Sequence, residues 1–543
     1  MKAVLVAMAA KYVHKSLAVR SIRAYLQKGG FDVEILEFTT AQETMRIAAE
    51  VVRTGADVIG FSCYIWNAEK ILALADVVKK AMPQAMIILG GPEVAYTPEE
   101  TLLRCPFADA VMCGENEETY AELLRGELNI PGLVRRGEPV SKAEPMNLAL
   151  LPFPYTSQEL IEKEAIFYYE SSRGCPYRCA YCLSAAETGV RYKPLDMVEQ
   201  DFKTFVDHDV RLVKLVDRTF NSDDARAQKI LDIIARLGGR TQFHFEVSAD
   251  TLSKAFMDRL AQLPTGKVRL EVGLQSVHEK TLCAVDRPYR VKQIAQNLAY
   301  IARSGNVEVH LDLIAGLPYE SYKDFGTSFD QAMAMQVDEL QLGFLKLLPG
   351  TPLAQRAAQY GYAWSDRPPY EVVKSDAISF AELARLKDIE EVVDVFWNHG
   401  AFVRVRTLLE NKIESTFDLC QSIAAYMAQR GWLSTPHRRA QRFEQLVSYL
   451  RNQGRWTEQM CRAAIQDFLV DCPDVQLPEW AAGVHKAPLR LTDVLQMSGV
   501  SELAEPDGEK KYWHRRYSLW ESKEEIWLVD KTAKKVWDIT AYF

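Results

Sequence analysis

The sequence lacks the features of a nucleic-acid-binding, membrane-spanning or secreted protein. Lys and Arg number 65 against 73 Asp and Glu, so the formal net charge of -8 leaves no general excess of positive charge for phosphate contacts. No apolar run reaches the roughly 18 to 20 residues of a membrane-spanning helix. The apolar run that follows Met1 fits a buried strand better than a signal peptide. We expect a cytoplasmic protein with no membrane partner.

Disulfide bonds are not expected, because ten cysteines in a large chain without a secretion signal are more typical of thiols or metal ligands. Three of them, Cys175, Cys179 and Cys182, are clustered. The other seven are scattered and are interpreted as core or surface residues: Cys63, Cys105, Cys113, Cys283, Cys420, Cys461 and Cys472.

The length of 543 residues exceeds what one hydrophobic core supports, and the hydrophobic fraction of 48% is enough for several cores. We predict an N-terminal domain over 1–140, a proline-rich linker over 141–165 that lies along the surface, a central domain over 166–355 and a C-terminal domain over 356–543.

Residues 1–140 alternate short apolar runs with amphipathic segments, which is typical of an α/β fold with a doubly wound parallel sheet. The predicted strands are 1–7, 33–36, 56–62, 86–89 and 110–112, and the predicted helices are 16–28, 44–54 and 68–82. Ligands of such sheets bind at the carboxyl ends of the strands.

Small, aromatic and acidic residues follow three of these predicted strands: Ser62, Tyr64, Trp66, Gly90, Gly91, Gly114 and Glu115. Paired glycines allow a flat ligand to approach the backbone closely. The absence of a G-x-G-x-x-G motif after the first strand argues against a dinucleotide. A flavodoxin-like module without a cofactor is the alternative interpretation of this domain.

The clustered cysteines follow a predicted strand with the spacing C-x-x-x-C-x-x-C. Three thiolates on a four-iron cluster leave one iron open for chemistry. A structural zinc site or an electron-transfer cluster would want a fourth ligand, and no second C-x-x-C pair follows.

Downstream of the cysteines, strands alternate with helices as a partial (βα)6 barrel requires. The predicted strands are the one entering the cysteine loop, then 211–216, 243–247, 268–273, 307–314 and 340–347. Polar residues recur at the strand ends, where barrel function is expected: Asp217, Thr219, Glu246, Gln275, Asp312 and Lys346.

The cysteine spacing, with Tyr181 just before the last cysteine, resembles the fingerprint of the radical S-adenosylmethionine superfamily. The resemblance implies a 4Fe-4S cluster on Cys175, Cys179 and Cys182, with S-adenosylmethionine chelating the open iron. It also implies cofactor contacts for Tyr181 and for five strand-end residues: Asp217, Thr219, Glu246, Gln275 and Asp312.

The strand ends of residues 1–140 resemble the cobalamin-binding domain found in front of many radical S-adenosylmethionine enzymes. The resemblance implies cobalamin contacts for the seven strand-end residues of that domain named above. The D-x-H-x-x-G motif that supplies a histidine to cobalt is missing, because Leu17 stands where the motif needs glycine. We therefore expect His14 to lie near the corrin or the substrate without ligating cobalt.

The C-terminal region is predicted to be helical, with amphipathic segments over 381–396, 417–430 and 443–453. Short strands are predicted over 512–520, 525–530 and 536–540. Their tryptophans are interpreted as hairpin core rather than as a substrate cleft. This extension resembles an uncharacterised subgroup of the cobalamin-dependent radical enzymes.

The resemblance implies methylation of an unactivated carbon of a small molecule or peptide, with a low-potential electron donor such as flavodoxin or ferredoxin as partner. Radical rearrangement, cyclisation or methylthiolation is one alternative, and a non-catalytic corrinoid or redox sensor is another. Nucleic acid is not expected as the substrate, because the basic groups His437-Arg438-Arg439 and His514-Arg515-Arg516 are short.

Overall fold

The chain folds into two compact units. The computed structural model describes residues 1–186, 189–287, 290–400, 402–504, 506, 510–522 and 525–543. The first unit comprises residues 1–337 and 342–383, and the second comprises 338–341 and 384–543. Within the described ranges, every helix is too short or too polar to cross a bilayer.

A six-stranded sheet forms the N-terminal part of the first unit. Its strands are β1 (Ala3–Ala9), β2 (Val33–Thr39), β3 (Val58–Ser62), β4 (Met86–Gly90), β5 (Ala110–Met112) and β6 (Leu133–Arg135). The helices are α1 (Leu17–Lys28), α2 (Thr44–Arg53), α3 (Ala68–Ala81), α4 (Pro92–Ala95), α5 (Pro98–Arg104) and α6 (Asn116–Arg125). The strand order β2-β1-β3-β4-β5-β6 confirms the predicted parallel sheet.

Both faces of this sheet are covered, which explains why its strands are apolar throughout. Along β1, Val4 and Val6 belong to one hydrophobic cluster, whereas Leu5 and Ala7 belong to the cluster on the opposite face. The edge strand β6 was not predicted, and it pairs antiparallel with β5.

The central part of the first unit contains a second six-stranded sheet. The strands of this region are β7 (Ile166–Tyr169), β8 (Ser172–Cys175), β9 (Gly189–Tyr192), β10 (Leu212–Leu215), β11 (Gln242–Val247), β12 (Val268–Gln275), β13 (Glu308–Ala315) and β14 (Glu339–Phe344). The order β14-β13-β12-β11-β10-β7, with parallel pairing from β7 through β13, confirms the predicted partial barrel.

Helices precede, connect and follow the barrel strands. These helices are α7 (Ser157–Leu160), α8 (Leu195–Asp207), α9 (Asp224–Leu237), α10 (Lys254–Gln262), α11 (Glu279–Ala284), α12 (Val291–Ala302), α13 (Tyr322–Ala334) and α14 (Pro352–Gln355). A two-stranded ladder of β15 (Ala363–Trp364) and β16 (Val372–Lys374) follows the barrel.

The predicted linker over 141–165 is more buried than its proline content suggested. Leu148 and Leu151 are buried with Met146 in a small hydrophobic cluster. The Tyr155 hydroxyl donates to the carbonyl of Tyr168 at 2.6 Å and accepts from the backbone N–H of that residue at 3.0 Å. The segment therefore packs against the first barrel strand instead of only crossing the surface.

The C-terminal region is helical, as predicted, and ends in a small sheet. Its helices are α15 (Phe380–Phe396), α16 (Val403–Glu410), α17 (Thr416–Ala428), α18 (Arg439–Asn452), α19 (Glu458–Asp471), α20 (Leu491–Val494), α21 (Val500–Ala504) and α22 (Trp513–Arg516). Its strands are β17 (His485–Lys486), β18 (Tyr517–Glu521), β19 (Ile526–Asp530) and β20 (Lys535–Asp538), which form one antiparallel sheet.

The predicted strand over 512–520 begins too early, because Trp513–Arg516 forms a helical turn and β18 starts at Tyr517. Trp513, Trp520 and Trp527 are buried, in agreement with their interpretation as hairpin core.

Gly91 offers a test of the loop after β4. Its φ is +106°, and a Cβ at this position would collide with the carbonyl oxygen of Cys63. Gly30 also has a positive φ, +83°, but has open space around the same position. We expect Gly30→Ala to lower the free energy of unfolding by about 1 to 2 kcal/mol, the cost of left-handed backbone. Gly91→Ala should cost clearly more in chemical denaturation, and equal costs would contradict the proposed backbone collision.

Candidate functional site

The three clustered cysteines lie in a hairpin at the carboxyl end of the first barrel strand, one on its first strand and two in the loop that joins its strands. Cys175 ends β8, which pairs antiparallel with β9, and Cys179 and Cys182 follow in the loop. Cys179 is buried, whereas Cys175 and Cys182 are partly exposed. Among the described residues these three sulfurs are not gathered closely enough to ligate one ion together. Three thiolates without a fourth ligand suit a four-iron cluster with one open iron, whereas a structural zinc ion takes four ligands.

Asp217, after β10, fixes the corner between β7 and β8. Its carboxylate accepts hydrogen bonds from the backbone N–H of Ser171 at 2.8 Å and from the hydroxyls of Ser171 and Ser172 at 2.5 and 2.8 Å. Burial raises the pKa of Asp217, although these hydrogen bonds oppose the rise. The predicted cofactor contact Asp217 thus positions the cysteine hairpin. Thr219 Oγ1 lies 3.7 Å from Cys175 Sγ.

Arg287, which sequence analysis missed, lies directly against the cysteine loop. Its Nη1 donates to Cys179 Sγ at 3.2 Å and to the hydroxyl of Tyr181 at 2.9 Å, and its Nη2 donates to the carbonyl of Gly273 at 2.8 Å. Burial raises the pKa of the Cys179 thiol, and the charge of Arg287 opposes that rise. Arg287 follows α11 and is 108 positions from Cys179, so no local pattern marks it.

Three polar side chains lie on successive barrel strands, and two of them have a buried acceptor atom without a hydrogen-bond partner. Asp312 Oδ1 and Gln275 Oε1 are buried without a hydrogen-bond partner in the described part of the chain. Burial, together with repulsion from Glu271, raises the pKa of Glu246 to about 7. Burial and repulsion from Glu271 and Glu246 raise the pKa of Asp312 to about 8. Buried acceptors of this kind are suited to a ligand that carries donor groups.

Ionisable side chains also lie one layer deeper along the same strands. His244 Nε2 lies 2.8 Å from Glu271 Oε2, and Lys214 Nζ lies 4.0 Å from the same oxygen. Burial lowers the pKa of His244, and the hydrogen bond to Glu271 opposes this effect. Lys214 and Glu271 thus form a loose ion pair beside a histidine that burial keeps neutral.

The predicted strand-end residues of the N-terminal sheet lie in three neighbouring loops. The rings of Tyr64 and Trp66 stack with centroids 4.4 Å apart, and Trp66 remains 54% exposed. Ser62 ends β3, and Gly90 ends β4 beside it in the sheet. Gly114, with φ +94°, follows β5. The exposed ring of Trp66, stacked on Tyr64, thus lies on the same sheet edge as the glycines Gly90 and Gly114, which have no side chain.

Glu115 joins the N-terminal sheet to the cysteine hairpin. Its carboxylate accepts from Arg173 Nη1 at 3.0 Å, from the Arg191 guanidinium and from the backbone N–H of Met146 at 2.9 Å. Arg173 also pairs with Glu117 at 2.5 Å and with Glu170 at 2.7 Å. Burial raises the pKa of Glu170 to about 7, with Arg173 opposing the rise. Although predicted as a cofactor contact, Glu115 has its carboxylate engaged by two arginines.

His14 lies in the loop after β1 and contacts the first barrel strand. Its Nδ1 is 2.8 Å from the hydroxyl of Tyr168, and the neighbouring residues Val13 and Lys15 exchange backbone hydrogen bonds with Ile166. Burial, followed by the charges of Lys214 and Lys11, lowers the pKa of His14. His14 is therefore held at the contact between the two sheets of the first unit.

Three family descriptions match successive parts of the chain. Residues 3–124 match the B12 binding domain, residues 169–332 match the radical SAM superfamily, and residues 358–503 match a protein of unknown function, DUF4080. The first two matches coincide with the two sheets of the first unit.

Two curated relatives are methyltransferases of actinobacteria. The chain is 27% identical over 343 residues to 2-(S-pantetheinyl)-carbapenam-3-carboxylate methyltransferase of Streptantibioticus cattleyicolor, which covers 57% of this chain and 50% of that protein. It is 28% identical over 341 residues to the cobalamin-dependent radical SAM methyltransferase TokK of Streptomyces tokunonensis, covering 56% and 49%. The chain thus spans about half the length of the curated relatives it matches.

A solved structure shares the fold. The cobalamin-dependent S-adenosylmethionine radical enzyme OxsB, with aqua-cobalamin bound, superposes with a TM-score of 0.61 and 15% identity over 87% of this chain and 80% of that one.

The N-terminal sheet thus corresponds to a B12-binding domain, and the partial barrel with its three-cysteine loop corresponds to a radical SAM domain. Together with the similarity to TokK, this order of a B12-binding domain, a radical SAM domain and a DUF4080 region supports the cobalamin-dependent radical S-adenosylmethionine family.

The raised pKa of Asp312 predicts a pH-dependent cost to stability. In the unfolded chain this carboxyl ionises near pH 4, whereas in the folded chain it ionises near pH 8, so the folded state loses stability as the pH rises between these values. Asp312→Asn removes this loss. We expect its melting temperature, without added ligands, to exceed that of the parent by a few degrees at pH 8 and by little near pH 4.

The matched control is Asp207→Asn, which changes an exposed aspartate on α8. Its melting temperature should follow that of the parent across the same pH range. A gain for Asp312→Asn that is equal at both pH values would contradict the assignment of the loss to ionisation.

Proposed function

We propose that the chain is a cobalamin-dependent radical S-adenosylmethionine enzyme that methylates an unactivated carbon of a small molecule or a peptide. When bound, the iron-sulfur cluster supplies the electron that cleaves S-adenosylmethionine to a 5'-deoxyadenosyl radical, and cobalamin supplies the methyl group. The protein residues hold these groups, orient them and exclude water.

The observation that carries the proposal is the network around Arg173. This arginine, whose side chain is 13% exposed, lies two positions before Cys175 and pairs with Glu115 and Glu117, which follow β5 of the B12-type sheet. The thiols and the ligand-facing loops of that sheet are thereby tied to the same end of the barrel. A corrinoid and a cluster bound at these two places would both border the barrel opening.

The proposed roles follow from the chemistry of each residue. Cys175, Cys179 and Cys182 would hold the cluster. The unsatisfied acceptors Asp312 and Gln275, together with the neighbouring carboxyl of Glu246, would receive hydrogen bonds from the amino group or ribose hydroxyls of S-adenosylmethionine. The exposed aromatic surface of Tyr64 and Trp66, with Ser62 and the glycines Gly90, Gly91 and Gly114, would contact cobalamin.

Methylthiolation is disfavoured, because it usually needs a second cluster and the remaining cysteines are dispersed. Cys63, Cys105 and Cys113 lie in the core of the N-terminal sheet. Cys283 is exposed and lies on α11. The other three cysteines are in the C-terminal region. A non-catalytic sensor would have no use for the buried acceptors of three barrel strands.

The proposed substrate is a small molecule or a peptide, and the proposed partner is a low-potential electron donor such as flavodoxin or ferredoxin. The net charge of -8 favours this class over nucleic acid, whose binding draws on clustered Lys and Arg.

The cysteine triad can be tested by anaerobic reconstitution with iron and sulfide. Replacing Cys175, Cys179 and Cys182 together by alanine should abolish the broad cluster absorbance and the formation of 5'-deoxyadenosine from S-adenosylmethionine. Cys283→Ala, which changes an exposed cysteine outside the cluster loop, should retain both. In the parent, S-adenosylhomocysteine formed beside 5'-deoxyadenosine would support methyl transfer. A full cluster in the triple variant would refute the assignment.

Cobalamin is expected to bind without a histidine ligand to cobalt, because His14 is engaged with Tyr168. Protein reconstituted with a corrinoid should retain it through gel filtration, and the cobalt absorption and paramagnetic resonance spectra of His14→Gln should match those of the parent. Tyr168→Phe, which removes the partner hydroxyl, provides the matched control. Loss of imidazole features from the spectrum of His14→Gln alone would contradict the expectation.

A further inference from the structure

The guanidinium of Arg287 is permanently charged and lies beside Cys179, one member of the cysteine triad. We propose that Arg287 raises the reduction potential of the iron-sulfur cluster by donating a hydrogen bond to the sulfur of Cys179. The inference rests on the proposed function, because it takes the cluster to be bound by the three cysteines. Arg287 acts through Cys179 and is therefore a positioning residue.

The guanidinium is fixed from two sides. Its Nη1 reaches Cys179 Sγ and the Tyr181 hydroxyl, while its Nη2 donates to the carbonyl of Gly273 at 2.8 Å. The pairing of β12 with β13 shifts register between Gly273 and Gln275, which is a β-bulge, and bulges leave backbone groups outside the regular ladder. The barrel wall thus holds the arginine toward the sulfur.

Gly273 also provides the space for this arrangement. A Cβ at position 273 would lie 2.7 Å from Arg287 Nη2, closer than side-chain carbons approach other atoms. The same Cβ would lie even closer to Gln275 Nε2. A side chain at position 273 would therefore shift the ends of the Arg287 and Gln275 side chains from their present positions.

The three cysteines differ in their surroundings. Cys179 is buried and accepts from a cation, whereas Cys175 is partly exposed and lies near the neutral hydroxyl of Thr219. Within the described part of the chain, Cys179 is the triad member that accepts a hydrogen bond from a charged donor. The effect of a cation should therefore be concentrated at one ligand of the cluster.

The sign of the effect follows from charge. Reduction transfers one electron from the external donor to the cluster, so the donor loses one negative charge and the cluster with its thiolates gains it. Hydrogen bonds to cluster sulfurs and nearby charge are among the factors that set cluster potentials. A charged N–H donor stabilises the more negative state, so Arg287 makes the cluster easier to reduce.

The test is a redox titration of the reconstituted full-length protein without S-adenosylmethionine, followed by electron paramagnetic resonance of the reduced cluster. Arg287→Gln should shift the midpoint to a more negative potential, lowering the reduced-to-oxidised ratio at a fixed potential by tenfold or more, which is about 59 mV for one electron. Arg287→Lys keeps the charge but loses the fork of donors, so its midpoint should fall between the two.

Arg178→Gln is the matched control, because it removes an exposed arginine of the same loop, one position before Cys179. Its midpoint should stay near that of the parent. Equal shifts of the midpoint potential in Arg178→Gln and Arg287→Gln would overturn the role of the hydrogen bond, because the loss of any nearby positive charge would then explain both shifts.

The outcomes separate this inference from the proposed function. A parent that binds no cluster refutes both. A parent and Arg287→Gln that both carry four irons and share one midpoint refute the inference alone. If Arg287→Gln fails to load the cluster, Arg287→Lys decides, and a midpoint at or above that of the parent would overturn the inference.

Discussion

The arrangement of the site depends on the pairing of Arg173 with carboxylates from two sheets. Removing one partner of a buried ion pair typically costs about 3 to 5 kcal/mol, because the other charge is left without compensation. Arg173 is mostly shielded from solvent, with 13% of its side chain exposed, and it pairs with Glu115, Glu117 and Glu170, while Arg191 supplies a second positive charge at Glu115. Burial alone would raise the pKa of Glu117, but the charge of Arg173 lowers it. The hairpin that carries Cys175 is therefore held to the loop after β5 by charge.

The barrel interior differs, because two of its buried acceptor atoms have no hydrogen-bond partner among the described residues. Asp312 Oδ1 and Gln275 Oε1 lack partners among the described residues, and the raised pKa values of Glu246 and Asp312 express the same deficit. Native proteins pair nearly all buried polar atoms, and exceptions concentrate where a ligand completes the pairing. The paired charges around Arg173 thus form a structural network. The acceptors in the barrel belong to the proposed binding region, where a ligand would supply the missing donors.

Sequence periodicity predicted the two sheets because their strands are buried on both faces or alternate with amphipathic helices, as β1 and α1 illustrate. It missed β6, a three-residue edge strand with no periodic signal. The cysteine triad was visible because its ligands are close in sequence. Arg287 and the engagement of Glu115 by Arg173 were not, since these contacts span 108 and 58 positions and depend on the folded arrangement.

The conformation of the cysteine loop is imposed by distant elements rather than by its own backbone. Asp217, after β10, anchors the corner that precedes Cys175, and Arg287 contacts Cys179 in the middle. At the far end, the Tyr96 hydroxyl of the N-terminal sheet region donates to the carbonyl of Leu183 at 3.3 Å. Each contact comes from a different element, and loops without regular secondary structure rely on such contacts for order. The cysteines can therefore reach their arrangement only when both sheets of the first unit are assembled around them.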